Sequence, residues 1–383
     1  MTIPYGRQDI TQSDIDAVVA VLQSDYLTQG PQVPAFELAV REHCGARHSL
    51  ACNSATSALH MACLALGLGQ GDTLWTSPIT FVASANCALY CGASVDFVDI
   101  DPATFNMCPK ALTEKLSVAE KTGKLPRILV VVHMCGQSAD MEPIHSLARR
   151  HGIHVIEDAS HAIGGRYRNG TVGDCRYSDI TVFSFHPVKI ITTAEGGMVT
   201  TNSDDLANRM ALGRSHGITR DAAQMANPPE GPWYYEQIAL GWNYRMTDMQ
   251  AALGRSQMQR IDEYVAARHV HAEVYDSELA DLPITLPWRR ADTYSAFHLY
   301  IIKIKETARR RKIFEDLRQR GIGVNVHYIP VHLQPYYRQF GFQPGDFPAA
   351  EKMYAGAISL PLFSKMTREQ RSEVVKTLHE VIT

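Results

Sequence analysis

The sequence predicts an α/β protein with a mostly parallel central sheet, helices on both faces of that sheet, and a smaller C-terminal α+β domain. Three observations predict it. Short apolar, β-branched runs alternate with helically spaced segments from residue 48 to residue 201, the pattern of βα units sharing one sheet. After Met210 a long Gly-, Pro- and aromatic-rich stretch breaks the alternation, and a long helical pattern follows it. With 383 residues, 45% apolar and 20% charged, the chain can bury one large and one smaller core. The expected division is a large domain over 1–245, a bridging helix over 246–280 and a small domain over 281–383.

Thr11-Gln12-Ser13-Asp14 has the form of a capping box and opens the helical pattern IDAVVAVLQSDYL. After the loop Asp25 to Pro31, Phe36, Leu38 and Val40 mark a second helix. Ser49 to Cys52 reads as a strand running into Asn53-Ser54-Ala55-Thr56-Ser57 and the helix ALHMACLALGL. TLWTS, then ITFVASANCALYCGA as a helix begun near Phe81, then SVDFVDID, a helix near 109–121, ILVVVH and a helix near 140–150 repeat the unit. HVIED and DITVFSF are the next strands, and Met198 to Thr201 closes the series. One long helix is expected over Thr247 to Leu279. In the remainder, FHLYIIKI and GVNVHYIP read as strands, KETARRRKIFEDLRQRG as a helix, and a last helix starts near Thr367. Asp99 and Asp101 read as turn acids, and Arg309 to Arg311 as a solvated face balanced by Glu306 and Glu315.

The net charge of −3 gives no reason to expect nucleic acid or an anionic membrane as partner. No apolar run reaches membrane-spanning length, and MTIPYGRQDI lacks a signal peptide's charged-then-apolar build. A cytoplasmic location is the resulting expectation. The eight cysteines fall between Cys44 and Cys175 with no CxxC pair. Cys87 and Cys91 share a face of an apolar helix that offers no further ligands, so reduced thiols and no metal are expected.

The chemistry centres on DITVFSFHPVKIITTAEGGM. Pro187 cannot continue a ladder, so the strand ends there and Lys189 is presented on a loop. Its neighbours Val188, Ile190 and Ile191 are apolar. A dry lysine loses ammonium stabilisation and becomes a nucleophilic amine, as a Schiff base requires. Asp158 ends the apolar run HVIED at the carboxyl edge of a parallel strand, where ligands of open α/β sheets bind. Alone it reads as a cap of the next turn. One βα unit before Lys189, it reads as the acid that would hold the protonated ring nitrogen of pyridoxal 5′-phosphate (PLP). Ser54, Ala55 and Thr56 open a helix N-terminus, a seat for phosphate. Phe81 stands at the same sheet edge and can stack on a flat ring, although a core place is the usual one for phenylalanine.

The segments LTQGPQVPAFE, NSATSALH, ITFVASANCALYCGA, VIEDASHAIGG, FSFHPVK, GWNYRMTDMQAALG, HYIPVHLQPYY and SLPLF together resemble the DegT/DnrJ-type sugar-nucleotide aminotransferases over nearly the whole chain. These are PLP-dependent enzymes of fold type I. IPYGRQDIT, PITFVASANCALYCGA and HYIPVHLQPYYR are most similar to the UDP-sugar C4 transaminases of the pseudaminic acid pathway. The resemblance implies that Lys189 carries PLP as an aldimine and then moves the proton. It places Asp158 on the pyridine nitrogen, His161 near the phenolic oxygen and Phe81 on the ring. Ser54, Ala55, Thr56 and Ser184 would take the phosphate, joined by Asn243 from the second subunit of a homodimer. Tyr5, Asp25, Tyr26, Leu27, Thr28, His327, Tyr328, Ile329 and Pro330 would line the sugar-nucleotide pocket. The implied reaction moves an amine from an amino acid, L-glutamate, to C4 of a UDP-4-keto-6-deoxy-N-acetylhexosamine. Three other readings stay open. One is a transaminase of another C3- or C4-keto sugar carried on UDP or dTDP. Another is a PLP-dependent sugar dehydratase, some of which carry histidine where Lys189 stands. The third is a non-catalytic regulator, which would need a DNA-binding module that the ten or so residues before the first helix leave no room for.

Overall fold

The computed structural model describes residues 2–383. Its centre is a seven-stranded sheet of β1 (His48–Cys52), β2 (Thr73–Thr76), β3 (Ser94–Phe97), β4 (Ile128–Val132), β5 (His154–Asp158), β6 (Ile180–Ser184) and β7 (Gly197–Thr201), in the spatial order β1-β7-β6-β5-β4-β2-β3. Only β7 runs antiparallel to its neighbours. The segment between β6 and β7 forms no helix, and the chain folds straight back to pair antiparallel with β6. That return loop carries Lys189.

Around the sheet lie α1 (Gln12–Leu22), α2 (Gln32–Cys44), α3 (Ala55–Ala65), α4 (Ala83–Tyr90), α5 (Pro109–Thr122), α6 (Met141–Arg150) and α7 (Asp204–Gly213). One core joins α3, α4 and α7 to one face of the sheet, and a second joins α5 and α6 to the other. With both faces covered, β4 and β6 are buried at every residue, which is why ILVVV and ITVFS read as unbroken apolar runs. The helix expected to begin at Phe81 begins at Ala83, after a tight turn in which Ser84 N–H donates to the Phe81 carbonyl. Asp99 and Asp101 are turn acids, and Asp99 also receives the amides of Ala349 and Ala350 at the start of a small-domain helix.

The single long helix expected from Thr247 to Leu279 is two, α8 (Asp248–Met258) and α9 (Ile261–Glu278), broken at Gln259-Arg260. The break lets Arg260 turn back and place Nη2 2.8 Å from both oxygens of Asp14. Beyond it, β8 (Ile284–Thr285), β9 (Tyr300–Ile304) and β10 (Ala357–Leu360) form a three-stranded sheet backed by α10 (Arg310–Gln319) and α11 (Arg368–Ile382). Residues 323–330, expected as a strand, pair with the sheet only where Asn325 and Ser359 exchange backbone bonds. The chain then leaves the sheet and carries His327 and Tyr328 to the cavity at the carboxyl edge of the central sheet. Arg311 pairs with Glu315 and Arg309 lies 4.0 Å from Glu306, as the charge pattern suggests.

Asp14 is more than a cap. It accepts from Thr11 N at 2.9 Å, but it is fully buried and also receives Ser256 Oγ, Gln257 Nε2 and Arg260. Burial pushes its carboxyl up, yet those four hydrogen bonds outweigh it and hold the group below the usual carboxylate range. A carboxyl depressed in the folded state contributes stability above its unfolded pKa and loses it as pH falls through the folded one. Asp14→Ala leaves Arg260 without its partner and is expected to cost on the order of 3 kcal/mol in urea unfolding at neutral pH. The difference from wild type should shrink as the pH is lowered. A loss of only about 1 kcal/mol, the usual cost of removing a helix cap, would show that Asp14 is only a cap.

Candidate active site

A cavity of about 480 Å³ opens at the carboxyl edge of the central sheet, closed on one side by His298, His327 and Tyr328. One end is an anion seat. Ser54 is the N-cap of α3, with Oγ accepting from Ser57 N at 3.1 Å, and Ala55 and Thr56 form the first turn. Amides at such a terminus have no partner within the helix. Ser184, at the end of β6, pairs with Gly197. A Cβ on Gly197 would stand 2.6 Å from the backbone of Ser54 and Ala55, so the Gly-Gly after Glu195 is a consequence of close approach. All four predicted phosphate contacts on this chain (Ser54, Ala55, Thr56 and Ser184) line the cavity.

Asp158 is the last residue of β5 and is buried. It accepts from Ser84 Oγ at 2.6 Å and from Ser160 N at 3.1 Å, and Ser84 is linked in turn to Thr80 Oγ1 at 2.7 Å. Lys189 lines the same cavity, with Ile190 and Ile191 buried behind it. Burial pulls its ammonium down to about 8, against the pull of Asp158 in the other direction. Lys189 and Val188 are themselves half-buried and His186 is exposed, so the loop is screened on the side of Ile190 and Ile191 and open to the cavity on the other.

Three imidazoles surround this lysine. Burial, then Lys189, then His327 hold His161 well below the usual histidine range. Burial and Lys189 bring His327 down to about 4, and His298 is pushed well down by burial and by His161. All three are neutral near pH 7. Tyr328 Oη lies 3.2 Å from His161 Nε2, and burial raises its pKa, so the phenol stays protonated. A protonated phenol can donate to Nε2 or accept from it, and in the first arrangement the ring proton of neutral His161 stands on Nδ1. That Nδ1 is buried with no partner in the chain.

The outer wall is formed by Tyr5, Phe81, His327 and Tyr328. Tyr5 and His327 lie with ring centroids 5.5 Å apart, and His327 Nδ1 is 2.7 Å from Ser359 Oγ. Phe81 is 59% exposed, with its ring 6.3 Å from that of Tyr328. It is not a core residue. Its face is open at the cavity mouth, where a flat ring can stack.

Seven predicted site residues do not line this chain's cavity. Ile329 and Pro330 lead away from it. Asp25, Tyr26, Leu27 and Thr28 form a loop docked on the start of α8, with Leu27 O accepting from Asp248 N at 3.0 Å and Thr28 bridged to Thr247. Asn243 is exposed; its backbone pairs with Ser215, and its carbonyl accepts from Asn53 Nδ2 at 3.3 Å. Sequence reasoning also missed Ser84, Thr80 and His298. Ser84 had a signal, since it lies in ITFVASAN three residues after Phe81, but nothing in sequence tied it to Asp158.

The residues fit PLP. The free amides at Ser54 to Thr56, crowded by Gly197, suit its phosphate. The partnerless Nδ1 of His161 can donate to an acceptor such as its phenolic oxygen. Asp158 is an acid fixed by two donors and suits a ring N–H. Among the described residues, no group of three or more His, Cys, Asp or Glu side chains could hold a metal ion.

An amine poised near neutral pH, opposite a carboxylate and beside an anion seat, is what a PLP-dependent transaminase needs. The comparison with known proteins agrees. The model of the DegT/DnrJ/EryC1/StrS aminotransferase family matches residues 8–379. UDP-4-amino-4,6-dideoxy-N-acetyl-beta-L-altrosamine transaminase of Campylobacter jejuni is 36% identical over 384 residues, 99% of this chain and 97% of the relative. GDP-perosamine synthase of Caulobacter vibrioides is also 36% identical, over 375 residues, 96% and 95% of the two chains. The solved structure of Helicobacter pylori PseC, described as an aminotransferase involved in the biosynthesis of pseudoaminic acid, superposes with a TM-score of 0.92 at 33% identity, covering 100% of this chain and 99% of that one. The chain belongs to the DegT/DnrJ/EryC1/StrS aminotransferase family, whose members depend on PLP.

Two outcomes follow from the geometry. Ser84→Ala removes one of the two donors holding Asp158, and a buried hydrogen bond to a charged group is worth ~1.5–3 kcal/mol. Affinity for PLP, followed by fluorescence quenching, should fall about tenfold or more, and an unchanged affinity would make Ser84 incidental. The rate at which apoprotein captures PLP should rise with pH and level off above about 8, because only the neutral amine of Lys189 reacts.

Proposed function

We propose that this protein transfers an amino group from L-glutamate to C4 of a UDP-4-keto-6-deoxy-N-acetylhexosamine, giving UDP-4-amino-4,6-dideoxy-N-acetyl-β-L-altrosamine. The observation that carries the reaction class is Lys189, its amine lowered by burial to about 8, lining one cavity with Asp158. The full-length match to the Campylobacter jejuni altrosamine transaminase supports the substrate.

When bound, PLP supplies the electron sink that makes a proton at the donor's Cα removable. The chain does the rest. Lys189 Nζ would hold the cofactor and, once freed by the incoming amino acid, would be the base that takes the proton from the donor's Cα. In the second half-reaction the same Nζ would supply a proton to the sugar's C4, so one base would serve both halves. Asp158, fixed by Ser84 and the Ser160 amide, would keep the ring nitrogen protonated. His161 would donate from Nδ1 to the phenolic oxygen. Ser54, Ala55, Thr56 and Ser184 would hold the phosphate, and Phe81 would stack on the ring. Tyr5, His327 and Tyr328 form the sugar side, and the neutral imidazoles keep positive charge away from Lys189.

The working unit on this reading is a cytoplasmic homodimer. Asn243 faces outward beside the residue that precedes the phosphate seat. A neutral amide there can donate to a partner's phosphate without adding a cation to an already positive helix end. The loop Asp25 to Thr28, with Tyr26 and Leu27 exposed, would reach the partner's sugar-nucleotide pocket. A second reading, a keto sugar carried on another nucleotide, is favoured by the equal 36% identity to GDP-perosamine synthase. A dehydratase is disfavoured by the lysine itself.

Purified protein incubated with glutamate and UDP-, dTDP- or GDP-linked 4-keto sugars, with products identified by NMR, separates these readings; turnover of the GDP sugar alone overturns the UDP assignment. Borohydride reduction and peptide mapping should find the pyridoxyl group on Lys189. Lys189→Ala should still bind PLP and lose turnover by several orders of magnitude, and Asp158→Asn should lower kcat more than it raises KM. Co-refolded Lys189→Ala and Asn243→Ala subunits should regain activity, because a heterodimer then holds one intact site; no recovery in heterodimers shown to have formed would place Asn243 in its own subunit.

A further inference from the structure

Arg268, on α9, is the largest fully buried side chain described, and burial alone brings its pKa down to about 10, with no acid contributing. It is therefore a cation at neutral pH with no carboxylate beside it. Nη1 lies 3.0 Å from the Phe297 carbonyl, 3.3 Å from that of His298 and 3.0 Å from that of Leu362, while Nε has no partner. A buried cation is an expensive way to fill a core, and apolar residues of similar volume often do it better. What it holds is therefore more informative than what it fills.

The three carbonyls belong to two segments that each connect to the cavity lining, one through His298 and one through Tyr5. Phe297 and His298 lead into β9, and Phe297 adopts the left-handed φ of 47°, disfavoured for a phenylalanine. His298 lines the cavity with its ring centroid 4.3 Å from that of His161, and its buried Nδ1 has no partner. With no partner at Nδ1, the His298 ring is seated chiefly by its own backbone and by packing. On the other side, Leu362 N donates to the Tyr5 carbonyl at 3.0 Å, and Tyr5 stands against His327.

We propose that Arg268 is a positioning residue of the transamination reaction. By gripping the backbone of Phe297, His298 and Leu362 it seats His298 against His161 and, through the Leu362 amide, holds the Tyr5 backbone beside His327. Two parts of the cavity lining are then set from one guanidinium. The inference rests on the PLP reading above, because His161 matters here through the ring it would face. Its geometry is this chain's own.

The test uses the holoenzyme and the variants Arg268→Lys, Arg268→Met and His298→Leu, with Tyr275→Phe as a destabilised control. Tyr275 loses a 2.9 Å bond to the Pro361 carbonyl and a 3.8 Å one to Met366 Sδ in the same core. Arg268→Lys and Arg268→Met should still carry the pyridoxyl label on Lys189. Their visible circular dichroism, which reports how the bound ring is held, should change, and kcat should fall on the order of tenfold or more with a smaller change in KM. His298→Leu should alter the same dichroic band. Tyr275→Phe should lower the melting temperature and leave band and kcat as in wild type. If the Arg268 variants lose melting temperature alone and match Tyr275→Phe in band and kcat, Arg268 is structural and the inference fails. Should they not fold, His298→Leu decides: an unaltered band and kcat overturn the proposal. Wild-type protein without label on Lys189 overturns the PLP reading and takes this inference with it; labelled wild type with unresponsive variants overturns the inference alone.

Discussion

A lysine kept dry beside a carboxylate is the constraint on which this active site depends. The amine is useful only if water is excluded from it and no other cation gathers near it. Burial lowers Lys189 to about 8, and the same burial keeps His161, His298 and His327 neutral. One physical cause thus prepares the nucleophile and prevents its neighbours from opposing it. The fold supplies the rest by topology. Parallel strands β4, β5 and β6 bring their carboxyl ends to one edge, so Asp158 and Ser184 arrive together without any long-range pairing of side chains. The antiparallel return to β7 then draws Gly197 over Ser54, which closes the anion seat from above.

Much of this was legible in the sequence, for reasons that can be named. Pro187 ends a strand wherever it stands, and an apolar run that terminates in Asp158 needs no partner to be read as a sheet edge. NSATS before a helix is a local signal. The parts that escaped are those whose cause is remote. The break at Gln259-Arg260 exists because Arg260 reaches Asp14, 246 residues earlier. The segment 323–330 has strand-like composition, but after one pair with Ser359 it is drawn off the sheet towards the cavity, and no local propensity encodes that. His298 lies in FHLYIIKI, which reads simply as an apolar strand; that its ring meets His161 depends on a left-handed Phe297 and on an arginine one helix away.

Phe81 shows how burial decides between two readings of one residue. A phenylalanine after an apolar strand is ordinarily core, and the large-domain core does form directly beneath it, from Ile79, Ala83 and Ala85. Phe81 is left out of that core because α4 starts two residues later, so the ring projects from the turn over the cavity mouth. An exposed aromatic face beside an anion seat and an acid is consistent with a planar cofactor.

The outward features of the chain follow a similar logic. Ile15, Val19 and Leu22 form an apolar row on α1, and Tyr26, Leu27, Trp233 and Leu240 are also exposed, the last at 75%. Isolated surface apolars need no explanation, but a row along one helix continued by Tyr26 and Leu27 does. The loop 25–28 and the helix carrying it are tied to α8 through Asp248, which receives the amides of Gly30 and Gln32 and is itself fully buried. Thr247 and Asp248 in turn follow directly on the GWNYRM segment that presents Asn243. The same short stretch therefore fixes both groups that the cavity of this chain leaves unused. If a second copy covers these apolar residues, the two groups arrive at its cavity together, set by one helix start and one buried carboxylate. On the proposed reading, the rigidity of that junction determines how well a neighbouring site is completed.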